Sequence, residues 1–365
     1  MAVLALLVSC SQKQERIVTP YGSVLDSVDI SEDFDLAEIQ TSGELIMATL
    51  TGPQTYYDYH GKSMGTQYFI CQRFADSLGV YLRVEVCRDS LELAERLKSG
   101  EIDLVAWATP GQISVDENKP ELVEEMKQWY RPSRIEEARN EEHTLLTVKK
   151  VRRRIFSPML DKKGGIISHY DHLFMTYSRD IRWDWRLLAA QCYQESTFDP
   201  KAVSFVGAKG LMQIMPGTAD HLGVSRSKLY DPETNVAAGV KYIGELQRTF
   251  SDIRDQYERT NFVLASYNGG SHHIRDAMRL AERDGKNPHH WSDVAPYVLK
   301  LASPQYYNDP IVKYGYMRGS ETVDYVEKIR QRHAGYQGVR SPHVGFHPSQ
   351  PRKGDQRKNK YTLKE

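Results

Sequence analysis

Residues 195–216 read ESTFDPKAVSFVGAKGLMQIMP. A single carboxylate closes an apolar helix, a serine- and glycine-rich loop follows, and a short segment then carries Gln213. The helix upstream is WDWRLLAAQCYQES, with Asp184 as N-cap candidate and good helix formers from Arg186 onward. Leu188, Cys192 and Glu195 stand at i, i+4 and i+7 and share one face. Leu187, Leu188 and Cys192 mark the core-facing stripe, so Glu195 is expected at its buried edge, near the helix end. Poor solvation there disfavours the charged carboxylate and raises its pKa. A glycosidase acid needs that property, because it must keep a proton for the leaving oxygen near neutral pH.

Most glycosidases set two carboxylates about the bond they cut. Asp199 follows Glu195 by four residues, but Phe198 and Pro200 end the helix, and Asp-Pro reads as turn chemistry. The order of these features resembles the catalytic core of the soluble lytic transglycosylase family, lysozyme-like enzymes that cut peptidoglycan glycan strands, over roughly 166–335. That resemblance implies that one Glu suffices. It would protonate the oxygen between MurNAc and GlcNAc, then deprotonate the MurNAc C6 hydroxyl, closing a 1,6-anhydro ring without water. On this resemblance Glu195 is the catalytic residue, and Ser204 lies near its carboxyl and the substrate N-acetyl group. Gly210-Leu211-Met212-Gln213 matches the second motif, with Leu211 packed inward and Met212 and Gln213 on the substrate side. The Gln213 amide, both donor and acceptor, suits sugar hydroxyls. Ala265-Ser266-Tyr267-Asn268-Gly269-Gly270 matches the third motif, Ser266 taking an alanine position, so that Tyr267 and Asn268 line the cleft. Glu321-Thr322-Val323-Asp324-Tyr325-Val326 matches the last, placing Tyr325 against Glu195.

Composition narrows the rest. Across 365 residues, Lys plus Arg and Asp plus Glu are 48 each, so no net field points to nucleic acid as a partner. Residues 1–10, MAVLALLVSC, form a short apolar run ending in Leu7-Val8-Ser9-Cys10. It resembles a lipoprotein signal with Cys10 as the lipidated residue, implying a membrane partner through a lipid anchor at the periplasmic face of an outer membrane. The run is far too short to span a bilayer. An oxidising periplasm would permit a bridge between Cys71 and Cys87, and these two and Cys192 all read as structural. His272-His273 and His289-His290 lack ligand spacing, so neither metal nor cofactor is expected.

The organisation expected is α+β and multidomain: a small βαβαβ lobe, then a mostly helical lysozyme-like domain. After the signal (1–10) and a polar leader (11–42), residues 43–130 form the lobe, with strand, helix, strand, helix and strand over 43–106. This part resembles lobe one of periplasmic solute-binding proteins of the amino-acid type. The sequence runs from the strand near Ile102–Ala106 almost directly into DENKPELVEEMKQWY, leaving no room for a second lobe and hence for hinged ligand closure. The ligand or protein partner of this lobe is unnamed by its sequence, and a docking or spacer role fits better. Residues 131–165 are a charged linker including Arg152-Arg153-Arg154, 166–335 the catalytic domain, and 336–365 a basic tail of disordered composition. Two other readings stand beside the transglycosylase: a hydrolytic muramidase of the same fold, and a non-catalytic wall-binding lipoprotein.

Overall fold

The computed structural model describes residues 35–147 and 151–337, together with the antiparallel pairing of β1 (Ile17–Val18) with β2 (Val24–Leu25). Cys10 and the tail beyond residue 337 lie outside the described residues. The architecture is α+β, a small mixed sheet followed by a helical domain.

Helix α1 (Leu36–Ser42) opens at Asp35, whose carboxylate accepts the Leu36 amide and forms a capping box with Glu38. The same carboxylate accepts the amides of Glu121 and Leu122 at 2.8 and 3.0 Å, tying both ends of the lobe together. The lobe therefore begins inside the expected leader, because a buried cap locks α1 onto α4 (Pro120–Trp129). Between them run β3 (Glu44–Thr49), α2 (Thr66–Leu78), β6 (Tyr81–Val86), α3 (Ser90–Lys98) and β7 (Leu104–Ala106). Strand β8 (Ile113–Val115) adds an antiparallel edge, giving the order β6-β3-β7-β8 with the first three parallel. Cys71 packs with Phe74 and Met47 in one cluster, whereas Cys87 packs with Leu93 and Val105 in another. Both cysteines, like Cys192, are buried free thiols, so the permitted bridge does not form.

An antiparallel hairpin, β4 (Tyr57–Tyr59) and β5 (Lys62–Met64), projects between β3 and α2. Helix α5 (Ser133–Thr147), expected within a linker, instead packs along α2. Ala138 is buried there, and Arg73 reaches Glu137 and Glu141 at 2.9 and 2.8 Å. The linker also contributes β9 (Val151–Arg152), which pairs with β10 (Val203–Ser204) of the helical domain.

That domain comprises α6 (Asp171–Tyr177), α7 (Trp185–Ser196), α8 (Pro216–His221), α9 (Pro232–Thr249), α10 (Gln256–Gly269), α11 (Ser271–Arg283), α12 (Trp291–Lys300), α13 (Pro304–Tyr307) and α14 (Gly319–Tyr336). Its core gathers Phe174, Leu188, Ile243, Phe250, Phe262, Leu280 and Ile329, each fully buried. Burial of each such side chain contributes about 1.5–3 kcal/mol. Helix α14 crosses both α7 and α10, and this crossing builds the site.

Candidate active site

Asp184 accepts the Arg186 amide at 2.9 Å and starts α7, as its sequence position predicts. Glu195 is the penultimate residue of that helix and is only partly accessible. The Tyr325 hydroxyl, delivered by α14, donates to Glu195 Oε1 at 2.5 Å. Burial pushes the Glu195 carboxyl up to about 7, while the Tyr325 hydrogen bond and the Arg153 charge pull the other way. The outcome is a group that exchanges a proton near neutrality. The Tyr325 and Tyr267 phenols are held well above their ordinary range, by burial first and by the nearby Glu195 charge next. Both therefore remain protonated donors.

Arg153, one of the three consecutive arginines of the charged run, closes the helix carrying Glu195. Its guanidinium donates to the carbonyls of Gln194 and Glu195 at 3.1 and 2.6 Å. A cation there answers the negative end of the helix and two of its unpaired carbonyls. Beyond the helix, Thr197 and Phe198 adopt φ of 52° and 63°, a left-handed pair that costs about 1 kcal/mol or more per residue. Phe198 is buried between the rings of Phe174 and Tyr193, with centroids 6.0 and 5.2 Å away, which holds the turn in place. Asp199 accepts the Arg154 and Lys201 amides at 2.6 and 3.0 Å, the turn role its Asp-Pro context predicts.

Pairing of β10 with β9 places Ser204 opposite Val151. The Ser204 hydroxyl accepts the Ala208 amide at 2.9 Å, which leaves its own hydrogen for another acceptor. Gly210 has φ of 79°, and a Cβ there would fall 2.3 Å from both Asn235 Nδ2 and the Leu229 carbonyl. Only glycine lets the loop close onto Asn235. That asparagine is fully buried and uses every polar atom on the loop: Oδ1 accepts the Met212 amide at 2.7 Å, and Nδ2 donates to Lys209 and Leu229. An Asn on the apolar stripe of ETNVAAGV was the available signal for this role.

The Met212 side chain is fully buried against Gly239 and belongs to the core, contrary to its expected place on the substrate side. Only its backbone takes part in the site, since the Tyr267 hydroxyl donates to the Met212 carbonyl at 2.8 Å. Gln213 sits at φ of 49° and donates through Nε2 to the Ala202 and Gly210 carbonyls at 3.2 and 2.9 Å. Its Oε1 is buried without a partner among the described residues. Asn268 Oδ1 accepts from the Thr322 hydroxyl at 2.8 Å, joining α10 to α14 one turn before Tyr325. Glu195, Tyr325, Tyr267, Asn268 and the Met212 backbone thus meet around one helix crossing, while Ser204 and Gln213 bond within their own loop. Among the described residues no cluster of His, Cys, Asp or Glu could hold a metal ion, and no helix is long and apolar enough to cross a membrane.

Residues 173–290 match the family described as Transglycosylase SLT domain. More particularly, the chain is 44% identical over 147 residues to the membrane-bound lytic murein transglycosylase F of Desulfosudis oleivorans, covering 40% of this chain and 32% of that one. Its counterpart in Maricaulis maris is 40% identical over 168 residues, covering 46% and 36% respectively. The chain thus spans about a third of the length of these curated relatives. Among solved structures, the 70 kDa soluble lytic transglycosylase of Escherichia coli is 28% identical over 46% of this chain and 24% of that one, with a TM-score of 0.32. The same type of enzyme in complex with bulgecin A is 30% identical over the same shares, with a TM-score of 0.31.

Proposed function

We propose that the protein is a peptidoglycan lytic transglycosylase that cleaves the β-1,4 bond between MurNAc and GlcNAc without water and leaves 1,6-anhydroMurNAc ends. The observation that carries this reading is a lone carboxyl, Glu195, pushed up to about 7 under the hydroxyl of Tyr325, with the adjacent Asp199 engaged in a turn. A group poised there serves as acid and then as base in one turnover. Protonated Glu195 gives its hydrogen to the glycosidic oxygen as the C1–O4 bond breaks. The resulting carboxylate, steadied by the Tyr325 donor, takes the proton of the C6 hydroxyl as O6 bonds to C1. Protons and electrons balance, and Glu195 returns to its starting state. Ser204, through its remaining hydrogen, supplies a polar contact to the sugar, with Gln213 on the same loop and Tyr267 and Asn268 on the facing helix.

The decisive experiment is mass spectrometry of purified peptidoglycan digested by the protein and by Glu195→Gln. Fragments one water lighter than hydrolytic products, absent from the variant digest, would support the reading. Reducing MurNAc ends would make the protein a muramidase, and release of nothing by folded protein would make it a wall-binding lipoprotein. Relatives named membrane-bound support an extension to anchoring through Cys10.

A further inference from the structure

Hairpin β4–β5 leaves its own lobe to grip the helical domain. Tyr59 Oη donates to Glu321 Oε2 at 2.7 Å, and His60 Nε2 lies 3.5 Å from the same oxygen. Arg318 stands over the Tyr59 ring, 5.3 Å from its centroid, and 3.8 Å from Glu321 Oε1. The same Tyr59 ring stacks on the loop that carries Ser204, with Tyr59 and Phe205 centroids 6.1 Å apart at 30°. Tyr57 packs edge-on against Tyr316 at 5.1 Å.

Glu321 precedes Tyr325 by one turn on α14, so the hairpin holds the turn adjoining the hydroxyl that touches Glu195. A second contact acts in the same sense at the carboxyl end of the sheet, where open α/β sheets ordinarily take ligands. Thr51, just past β3, accepts the Tyr316 amide at 2.9 Å. Gly315 comes so close that a Cβ would lie 1.9 Å from Thr51 Cγ2. The first amides of α2 are engaged as well, Gln67 to the Gln54 carbonyl at 2.9 Å and Tyr68 to Thr55 at 3.1 Å. Gln67 Nε2 donates to the carbonyls of Trp107, Thr109 and Gln112. The chain itself fills the places where a small ligand would bond.

We propose that the first lobe is a fixed brace for the catalytic domain, and that Tyr59 and Glu321 are positioning residues that hold α14 so that Tyr325 stays on Glu195. The catalytic meaning of this brace rests on Glu195 being the acid. The groups facing the Glu195 carboxyl are Tyr325 from α14, Tyr267 from α10, Cys192 from its own helix and Arg153 from the linker. Those facing Glu321 are Tyr59 and His60 from the hairpin and Arg318 from its own segment.

Two matched substitutions isolate the effect. Tyr56 stands just before the strand of Tyr59, but its hydroxyl meets the Ser63 hydroxyl of the same hairpin, at 3.1 Å. Tyr59→Phe and Tyr56→Phe each remove one hydroxyl and keep the ring, and only the first loses a bond to α14. The carboxyl titration of Glu195 is followed by 13C NMR, alongside steady-state cleavage of peptidoglycan. Loss of the Tyr59 bond loosens the Tyr325 donor, which favours the charged carboxylate, so the Glu195 pKa rises by about half a unit or more. The kcat falls roughly threefold or more with KM little changed, whereas Tyr56→Phe moves neither. Glu321→Gln, which keeps an acceptor for Tyr59, stays nearer the parent protein than Glu321→Ala. Equal effects of the two phenylalanines, or an unmoved Glu195 titration in Tyr59→Phe, would overturn the brace. A shifted titration in a protein that releases no glycan would instead sustain the brace and sink the activity.

Discussion

Replacement of Glu195 by Gln has a thermodynamic signature that does not depend on any substrate. The carboxyl moves from 4.5 when free to about 7 in the fold, mainly through burial, so folding disfavours its charged form. The sign follows from proton binding: above 4.5 the unfolded chain has released a proton that the folded protein still holds, so stability falls as pH rises. The loss begins near 4.5 and levels off above 7. At 1.36 kcal/mol per pKa unit the full burden is about 3 kcal/mol, reached by about pH 8, against about 1 kcal/mol at pH 5. Glu195→Gln removes the titration and keeps an oxygen for the Tyr325 donor at nearly the same volume. Relative to the parent, the variant should therefore gain about 2 kcal/mol between pH 5 and pH 8. Thermal unfolding at the two pH values reads this as a Tm difference that widens by several degrees. A difference that stays constant, or that shrinks as pH rises, would refute a buried carboxyl held up near neutrality.

Ser266 is fully buried, and its hydroxyl has no partner among the described residues. Ser266→Ala should raise stability by about 1 kcal/mol in denaturant titrations, since an unpaired buried hydroxyl costs that much or more. Arg153→Leu removes both bonds to the end of α7 and the charge that lowers the Glu195 pKa. A stability loss of about 1–3 kcal/mol should accompany a basic limb of the pH–rate profile displaced upward, both measured on one sample. Cys10→Ser should move the protein from the membrane to the soluble fraction on centrifugation of lysed cells.

Much of this arrangement was legible in local pattern. The α7 cap at Asp184, the face carrying Glu195, the turn at Asp199 and the alternation of strands and helices in the first lobe all depend on neighbours a few residues away. What was not legible depends on contacts between distant segments. Arg153 lay in a charged run whose ordinary meaning is a solvated surface, and only the β9–β10 pairing turns it onto α7. Met212 shares a motif with Gln213, but the left-handed backbone at Gln213 sends the two side chains to different environments. Helix α5 carries enough charge to read as linker, and it is Arg73 across the groove that answers its glutamates. The permitted bridge failed because Cys71 and Cys87 sit in separate clusters of the sheet's core, which spacing along the chain does not reveal.

The bond between Tyr325 and Glu195 spans 130 residues of sequence. A ribosome releases the acid long before it makes the hydroxyl that holds it. A nascent or prematurely terminated chain that stops short of residue 325 has Glu195 but neither this partner nor the helix that packs across α7 and α10. The candidate site is therefore complete only after residue 325 has been made, and products that stop before it carry the carboxyl without its partner.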